Sequence, residues 1–270
     1  MTDVLNPTEL NGDQIRRDVT NSVTLITGGA RGTGKEAAKA LLSLGGYVAV
    51  LDVNKERVDS VADELDASAE HLLPILADCT DRENMAIAVT SIVERFGKLT
   101  NVVYCAGAYR AQRPSLDIDG NEWDLIVDSN LKGAFFTDQA AIPEIERAGG
   151  GSVVHIASLA GRTSSPFLGC HYSSAKAGIL GLTRHFAKEF GPAGIRFNAI
   201  CPGGIRGQRM TDLVTELHRE GDLTDMANQT PLGRNVLETD VVGSILFFLS
   251  HLSGFVTGAT LDVNGGILTI

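Results

Sequence analysis

The alternation of short apolar runs with longer amphipathic segments restricts the fold of this chain more than any other feature. Seven runs rich in Val, Ile and Leu predict β-strands: VTLIT (23–27), YVAVLD (47–52), LLPIL (72–76), LTNVVY (99–104), SVVHIA (152–157), IRFNAI (195–200) and TLDV (260–263). Segments of helical period lie between most of them, at about 33–44, 54–66, 81–96, 121–148, 172–190 and 238–249. Strands separated by helices predict a parallel sheet covered on both faces, the doubly wound Rossmann-type α/β fold.

Nothing in the sequence divides the chain into two domains. There is no internal repeat, no low-complexity tract and no linker-like stretch. We therefore expect one domain over residues 22–270, preceded by a polar N-terminal arm over residues 1–21.

Composition and charge exclude several classes of protein. Hydrophobic residues make up 43% of the 270 positions, enough for a substantial core, and the formal net charge is −10. Because Lys and Arg do not run in blocks, we expect neither nucleic acid nor an anionic membrane as a partner. No apolar stretch approaches the roughly 18 residues of a membrane span, and the first twenty residues lack the apolar core of a signal peptide. We expect a cytoplasmic protein.

The cysteines do not suggest a metal centre. Cys79, Cys105, Cys170 and Cys201 stand far apart and form no CxxC pair. This spacing indicates neither a disulfide framework nor a zinc site, so we expect reduced thiols and no bound metal.

A glycine-rich turn directly follows the first predicted strand. The segment TGGARGTGKEAAKALL places Gly28, Gly32 and Gly34 in the turn and then opens a helix. Small residues there allow backbone N–H groups and the positive end of the helix to approach a pyrophosphate. The spacing is GxxxGxG and not GxGxxG, and a lone glycine turn is often only a tight turn. Its place between a strand and a helix favours a dinucleotide site, which would also include Arg31 and Thr33.

The second predicted strand ends in Asp52, about twenty residues beyond the glycine turn. A carboxylate at this point binds the ribose hydroxyls of NAD and repels the 2′-phosphate of NADP. Arg31 gives the opposite signal, since it could pair with that phosphate. We favour Asp52 and expect NAD, although Asp52 could instead only cap the next helix.

Two further loops follow predicted strands and face the same edge of the sheet. Asp78 and Cys79 come after the third strand and could reach the adenine edge of a dinucleotide. Ala106 and Gly107, in CAGAY, come after the fourth strand and would lie close to the cofactor. Ordinary loop packing is the alternative for all four residues.

Tyr172 and Lys176, in HYSSAK, would share one face of a helix because they are four residues apart. Two unit charges about 4 Å apart interact by about 4 kcal/mol at an effective dielectric constant of 20. That energy corresponds to nearly three pK units, so Lys176 could bring the phenol from about 10 toward 7. The alternative is a solvated pair with no chemical role.

Five ordered motifs carry a family resemblance: TGxxxGxG at 27–34, Asn130 in DSNLKGAFF, Ser158 in HIASLAG, YxxxK at 172–176 and CPGGI at 201–205. The chain resembles the classical short-chain dehydrogenases/reductases from about residue 22 to its end. The longer epimerase-like branch usually has TGxxGxxG, so an epimerase is disfavoured. The resemblance implies a dinucleotide-binding oxidoreductase domain with a substrate loop at about 204–233.

The resemblance also implies roles for the motif residues. Tyr172 would take the proton of the alcohol as the hydride leaves for the nicotinamide, and Ser158 would hydrogen-bond the substrate oxygen. Lys176 would also bind the nicotinamide ribose, and Asn130 would position a water that links Lys176 to solvent. Pro202, Gly203 and Ile205 would cover the nicotinamide. Each residue taken alone has an ordinary structural explanation, but all of them in family order make that explanation improbable.

The chain departs from the family pattern at two points. Ser158 and Tyr172 are fourteen residues apart, where thirteen is commoner. After Pro202 and Gly203 the family usually has a threonine near the nicotinamide carboxamide, but Gly207 stands here. Contact with the carboxamide would then rest mainly on the backbone of Ile205.

The substrate is only coarsely predicted, as a secondary alcohol or ketone. Arginines are unexpectedly frequent in the loops around the expected pocket, namely Arg110, Arg113, Arg162, Arg206 and Arg209. They could be surface ion pairs, or one or two could bind a carboxylate, sulfonate or phosphate. We expect a small, sugar-like or cyclic alcohol that could carry an anionic group. The expected contacts are Arg110, His171 and above all Arg206.

Two alternative functions are compatible with the sequence, and the resemblance also implies an oligomeric state. The chain could keep the fold as a non-catalytic NAD-sensing or scaffold protein, or it could reduce apolar ketones or steroids. Few aromatic residues in the loops, apart from Tyr109 and Phe167, disfavour a steroid. Related enzymes pair the helices near 121–148 and 172–190 and the C-terminal strand into tetramers, so a homotetramer is expected.

Overall fold

The computed structural model describes residues 14–218 and 222–269. Seven parallel strands form one sheet in the order β3-β2-β1-β4-β5-β6-β7. They are β1 (Val23–Thr27), β2 (Tyr47–Asp52), β3 (Leu72–Leu76), β4 (Asn101–Tyr104), β5 (Gly151–Ile156), β6 (Ile195–Pro202) and β7 (Thr260–Val263). The predicted doubly wound α/β fold is confirmed.

Ten α-helices lie in the described part of the chain. They are α1 (Gln14–Thr20), α2 (Gly32–Ser43), α3 (Lys55–Glu64), α4 (Arg82–Phe96), α5 (Gly120–Val127), α6 (Gly133–Arg147), α7 (Cys170–Phe190), α8 (Gln208–Glu216), α9 (Asp222–Gln229) and α10 (Glu238–Leu249). None of the helices in these ranges is long and apolar enough to cross a bilayer.

Local sequence explains where several helices begin and end. The side chain of Asp81 accepts hydrogen bonds from the N–H groups of Glu83 and Asn84 at the start of α4. Gly97 ends the same helix with a left-handed φ of 79°. At the start of α3, the side chain of Asn54 accepts a hydrogen bond from the N–H group of Arg57.

The core lies on both faces of the sheet because successive residues of a strand point to opposite faces. Leu25 packs with the layer that includes α4 and α6, whereas its neighbour Ile26 packs with the layer of α2 and α10. Every residue of β1 is buried. This two-sided burial is the physical cause of the continuous apolar runs in the sequence.

The segment predicted as one helix over 121–148 is interrupted. A wider π-helical turn, Asp128–Lys132, separates α5 from α6. Side chains bind the carbonyl groups of the preceding turn: Ser129 Oγ donates to Leu125 O at 2.6 Å, and Asn130 Nδ2 donates to Ile126 O at 2.8 Å. The Tyr104 hydroxyl, from β4, donates to Ser129 O at 2.8 Å. The turn is therefore in contact with a strand that is distant in the sequence.

The predicted N-terminal arm is only partly described, since residues 1–13 lie outside the described residues. Its described part contains the helix α1, in which Val19 is buried. Asp18 accepts a 2.9 Å hydrogen bond from the backbone N–H of His251 and lies 2.7 Å from the His251 ring. These contacts hold α1 against the end of α10.

Candidate active site

A cleft of about 970 Å³ opens at the carboxyl ends of the strands. The strand order reverses between β1 and β4, so the loops that follow these two strands diverge and leave a crevice. The loops after β1, β2, β3, β4, β5 and β6 all contribute residues to this cleft.

The glycine turn after β1 allows very close approach of backbone segments. Gly28 has a φ of +61°, and a Cβ atom there would lie 2.8 Å from Ala106 Cα. A Cβ at Gly34 would lie 2.5 Å from the carbonyl oxygen of Gly28. Only glycine fits either position, so the turn presents backbone at the N-terminus of α2. That arrangement fits the pyrophosphate of a dinucleotide.

Asp52 lies at the end of β2, is buried to 6% exposure and lines the cleft. Its Oδ1 atom accepts a 3.0 Å hydrogen bond from the Asn54 N–H and lies 4.0 Å from Arg57 Nη1. Burial lowers the pKa of nearby Arg31, and the positive charges of Arg57 and Arg209 add to this, while Asp52 opposes it. The carboxylate of Asp52 and the guanidinium groups of Arg31 and Arg57 thus line the part of the cleft where the adenosine ribose of a dinucleotide is expected.

The loops after β3 and β4 also line the cleft. Asp78 Oδ1 accepts hydrogen bonds of 2.8 Å from the N–H and hydroxyl of Thr80. The Cys79 thiol lies 3.4 Å from the Tyr104 hydroxyl, and burial raises its pKa to about 11. Cys79 is therefore expected to offer its backbone, and not its thiol, to a ligand. Ala106 and Gly107 complete this wall.

Tyr172 is nearly buried in the cleft, in the first turn of α7. Burial alone raises the pKa of its phenol, but the charges of Lys176 and Arg209 and polar contacts with Ser158 and Arg209 lower it. The result is a pKa below the ordinary value of tyrosine. Ser158, at the end of β5, is the N-terminal cap of a short 3₁₀ turn and accepts from Ala160 N–H at 3.1 Å.

Lys176 lies one helical turn after Tyr172 and is 4% exposed. Its Nζ atom donates a 2.8 Å hydrogen bond to the carbonyl of Ile156, and it lies 5.6 Å from the centroid of the Tyr172 ring. Burial lowers the pKa of Lys176, and the neighbouring Tyr172 opposes that shift. The arrangement can hold a phenol ready to exchange a proton near neutral pH.

Asn130 lies in the π-helical turn and is fully buried. Its Nδ2 atom donates to the carbonyls of Ala108 and Ile126, each at 2.8 Å. Its Oδ1 atom lies against Gly107 and has no hydrogen-bond partner in the part of the chain that the structure describes. The structure thus ties Asn130 to the loop after β4, and its part in a proton relay stays a prediction.

The loop after β6 covers the cleft. Pro202, Gly203 and Ile205 line it, as the sequence predicts, and the segment is held by Arg206 N–H donating to Val236 O at 2.7 Å. The Val236 N–H donates to Gly204 O at 3.2 Å. Gly207, where related enzymes have threonine, also lines the cleft.

The structure does not bring the three predicted substrate contacts to the cleft. Arg110 and Arg206 are exposed side chains outside its lining. His171 is completely buried: its Nδ1 atom accepts from the Tyr172 N–H at 2.8 Å and its Nε2 atom lies 3.0 Å from Glu122 Oε1. Both ring nitrogens are occupied by the protein, so His171 anchors the start of α7 to α5.

Arg209 takes the position for which Arg206 was predicted. It lines the cleft from the first turn of α8, and it shares a face of that helix with Leu213, which is buried. The sequence carries this signal, since residues four apart lie on one side of a helix. This spacing predicts that Arg209 lines the cleft only if residues 208–216 are already known to form a helix that packs there.

The fold and the cleft, which brings Ser158, Tyr172 and Lys176 together, match the short-chain dehydrogenases/reductases, a family of oxidoreductases that use nicotinamide cofactors. Residues 28–268 match the family described as Enoyl-(Acyl carrier protein) reductase. The chain belongs to the short-chain dehydrogenase/reductase family.

Named relatives are similar over nearly their whole length. A 3-oxoacyl-[acyl-carrier-protein] reductase from Staphylococcus aureus is 34% identical, with 90% of this chain and 96% of the relative covered. A (2S)-[(R)-hydroxy(phenyl)methyl]succinyl-CoA dehydrogenase subunit from Thauera aromatica is 35% identical, with 92% and 97% covered. The solved structure of a short-chain type dehydrogenase/reductase from Mycobacterium ulcerans is 30% identical, covers 91% of this chain and 89% of its own, and superimposes with a TM-score of 0.84.

Proposed function

We propose that this protein is an NAD-dependent dehydrogenase/reductase that interconverts a secondary alcohol and its ketone. The observation that carries the proposal is the position of Tyr172, which is nearly buried in the cleft between Ser158 and Lys176 with its pKa below the ordinary value. When bound, the nicotinamide accepts a hydride from the alcohol carbon or returns it to the ketone.

The side chains of the protein supply the proton chemistry. Ser158 orients the substrate oxygen toward the phenol, and Tyr172 accepts the alcohol proton in the oxidative direction and donates it in the reductive direction. The charge of Lys176 favours the ionised phenol. Asn130 is proposed to position the water through which Lys176 exchanges protons with solvent.

Asp52 supports the choice of NAD. Its buried carboxylate, fixed by the Asn54 N–H, lies where a ribose is expected and would repel a 2′-phosphate. Arg31 and Arg57 lie on the same side of the cleft and could attract that phosphate. We favour NAD because the carboxylate is buried at a strand end, whereas the Arg57 side chain is 39% exposed.

The test is a panel of secondary alcohols and their ketones, offered with NAD and with NADP while the absorbance of the reduced nicotinamide is followed. The panel includes polyols, cyclic alcohols, hydroxy acids and 3-hydroxyacyl thioesters. The thioesters are included because the names of two relatives specify 3-oxoacyl and succinyl-CoA substrates. Turnover that disappears in Tyr172→Phe supports the proposal. Binding of NAD without turnover of any panel member would favour the non-catalytic sensing alternative.

We also propose that the protein assembles as a homotetramer. An apolar groove of about 840 Å³ runs along α6 and α7. Phe135 is 39% exposed there, and Phe186 and Leu182 line the same groove. Helices from a second copy would cover this face in a two-fold arrangement.

A further inference from the structure

Arg209 is a cation placed in the cleft beside the catalytic phenol. Its guanidinium carbon lies 4.0 Å from the centroid of the Tyr109 ring and 5.7 Å from that of Tyr172. Its Nη2 atom is buried and has no hydrogen-bond partner among the described residues. The guanidinium thus lies over the Tyr109 ring and has a polar contact with the Tyr172 side chain, while its Nη2 atom keeps unused hydrogen-bonding capacity.

No carboxylate in the described part of the chain forms an ion pair with Arg209. Other arginines do have such partners: Arg113 pairs with Glu122, Arg162 with Asp262 and Arg234 with Asp240. The nearest charges that act on the Tyr172 phenol are those of Lys176 and Arg209, both positive.

Three of the acidic residues that line the cleft have other partners, and the remaining two, Asp124 and Glu238, form no ion pair with Arg209 in the described part of the chain. Asp52 accepts from Asn54, Asp78 from Thr80, and Asp128 pairs with Lys132. A partly buried cation without a counter-ion is unfavourable, and the charge of Lys176 nearby makes it more so. In a chain with a net charge of −10, Arg209 and Lys176 make this part of the cleft locally positive, and no carboxylate of the described residues is paired with Arg209.

We propose that Arg209 binds an anionic group of the substrate, a carboxylate, sulfonate or phosphate, attached within a few bonds of the reacting carbon. This inference rests on the proposed function, because it assumes that the alcohol oxygen lies between Ser158 and Tyr172. A guanidinium group matches the oxygens of such anions with two parallel N–H donors. The Tyr109 ring fixes the plane of the guanidinium and thereby the direction in which those donors point.

The diphosphate of the cofactor has the same chemistry and is the competing source of the anion. Arg209 also acts electrostatically on Arg31 of the glycine turn, so its charge would also act on a diphosphate bound there. We favour the substrate because the contact with Tyr172 places Arg209 at the reactive end.

The experiment compares charged and neutral secondary alcohols that are otherwise alike. The pairs are 3-hydroxybutyrate with methyl 3-hydroxybutyrate, and 2-hydroxypropane-1-sulfonate and 2-hydroxypropyl phosphate with 2-butanol. We measure kcat/KM for each in the wild type, Arg209→Met, Arg209→Lys and Arg206→Met. The last variant is the matched control, since Arg206 lies in the same segment but is exposed. The ratio of charged to neutral kcat/KM is compared because an effect of Arg209 on the Tyr172 pKa cancels in it.

We expect the wild type to prefer at least one anion over its neutral partner by about tenfold or more. Arg209→Met should abolish this preference, Arg209→Lys should retain part of it, and Arg206→Met should leave it unchanged. The dissociation constant of NADH, measured by its fluorescence, should change by less than about threefold in all variants.

Each contrary result has a distinct meaning. Turnover of neutral alcohols with no preference for any anion would overturn the role of Arg209 and leave the proposed function intact. A weaker NADH affinity in Arg209→Met with an unchanged charged-to-neutral ratio would assign Arg209 to the cofactor diphosphate and overturn the substrate assignment. Absence of turnover with every alcohol, despite NADH binding, would overturn the proposed function itself.

Discussion

The Nζ atom of Lys176 lies 5.6 Å from the centroid of the Tyr172 ring and donates a hydrogen bond to the carbonyl of Ile156. The hydrogen bond fixes the ammonium group in a buried position from which its charge acts on the phenol. This geometry forms because α7, which carries Tyr172 and Lys176, packs against the end of β5, which carries Ile156.

Removing the phenol oxygen should abolish proton transfer with little effect on binding. For Tyr172→Phe we expect kcat to fall by about 10²–10⁴-fold, because general acid–base catalysis contributes on that order. The dissociation constant of NADH should stay within about twofold of the wild type. Tyr47→Phe is the control, since Tyr47 stacks on His71 at the start of β2. Turnover like that of the wild type in Tyr172→Phe would contradict the mechanism.

The rate should depend on pH in a direction set by Tyr172. Alcohol oxidation needs the ionised phenol, so kcat/KM should rise with pH, with a midpoint below the ordinary value of about 10 because the pKa of Tyr172 is lowered. Ketone reduction needs the protonated phenol and should fall through the same range. In Lys176→Met, assayed at saturating cofactor, the midpoint should move to higher pH. An unchanged midpoint would show that Lys176 does not act on the phenol.

The preference for NAD should depend on Asp52. Asp52→Ala removes the carboxylate and leaves Arg31 and Arg57 in place, so the ratio of kcat/KM with NAD to that with NADP should fall by about tenfold or more. Asp59→Ala is the control, because Asp59 is exposed and pairs only with Lys55 among the described residues. A wild type that already prefers NADP would refute the assignment.

A buried hydrogen-bond network joins β5 to α6 and α7. We expect the stability of the protein to tolerate replacement of Asp138 in this network by asparagine, but not by alanine. The Thr183 hydroxyl donates to Ile179 O, so it accepts from His155 Nδ1, and His155 Nε2 lies 2.9 Å from Asp138 Oδ2. Burial raises the pKa of Asp138, and His155 opposes that shift. A protonated carboxyl can donate to Nε2, and the amide of Asp138→Asn can do the same.

We therefore expect Asp138→Asn to lower the free energy of unfolding by about 1 kcal/mol or less, and Asp138→Ala by about 3 kcal/mol or more. Urea unfolding at neutral pH measures both values. Equal losses in the two variants would mean that the network holds an ion pair, which the amide cannot replace.

Assembly should fail when a charge is placed in the groove between α6 and α7. Gly181 lines the groove, and a side chain added there would point into open space, so Gly181→Glu is compatible with the folded monomer. Light scattering should show the wild type as a tetramer and the variant as a smaller species. Gly120→Glu is the control, because Gly120 also faces open space but lies at the start of α5. A 28.6 kDa monomer for the wild type at micromolar concentration would refute the proposed assembly.

The sequence alone determined the order of the strands along the chain and the local geometry of the site. The central strands are buried on both faces and are therefore apolar, so they are readable as runs of Val and Ile, whereas the edge strands β3 and β7 are only partly buried. Tyr172 and Lys176 share a helical face by their spacing, and Ser158 follows directly on a strand that must end at the same edge of the sheet. These relationships depend on period and chain order only.

Tertiary structure decided every feature that depends on a residue from another part of the chain. The π-helical turn at Asn130 accepts a hydrogen bond from the hydroxyl of Tyr104 in β4, a contact that no helical period in 121–148 encodes. His171 is turned away from the cleft because Glu122 of α5 lies beside it, whereas Arg209 is turned inward because α8 packs on the cleft through Leu213. Periodicity encodes which face of an element is apolar, but the position of one polar side chain is set by the partners that long-range packing brings to it.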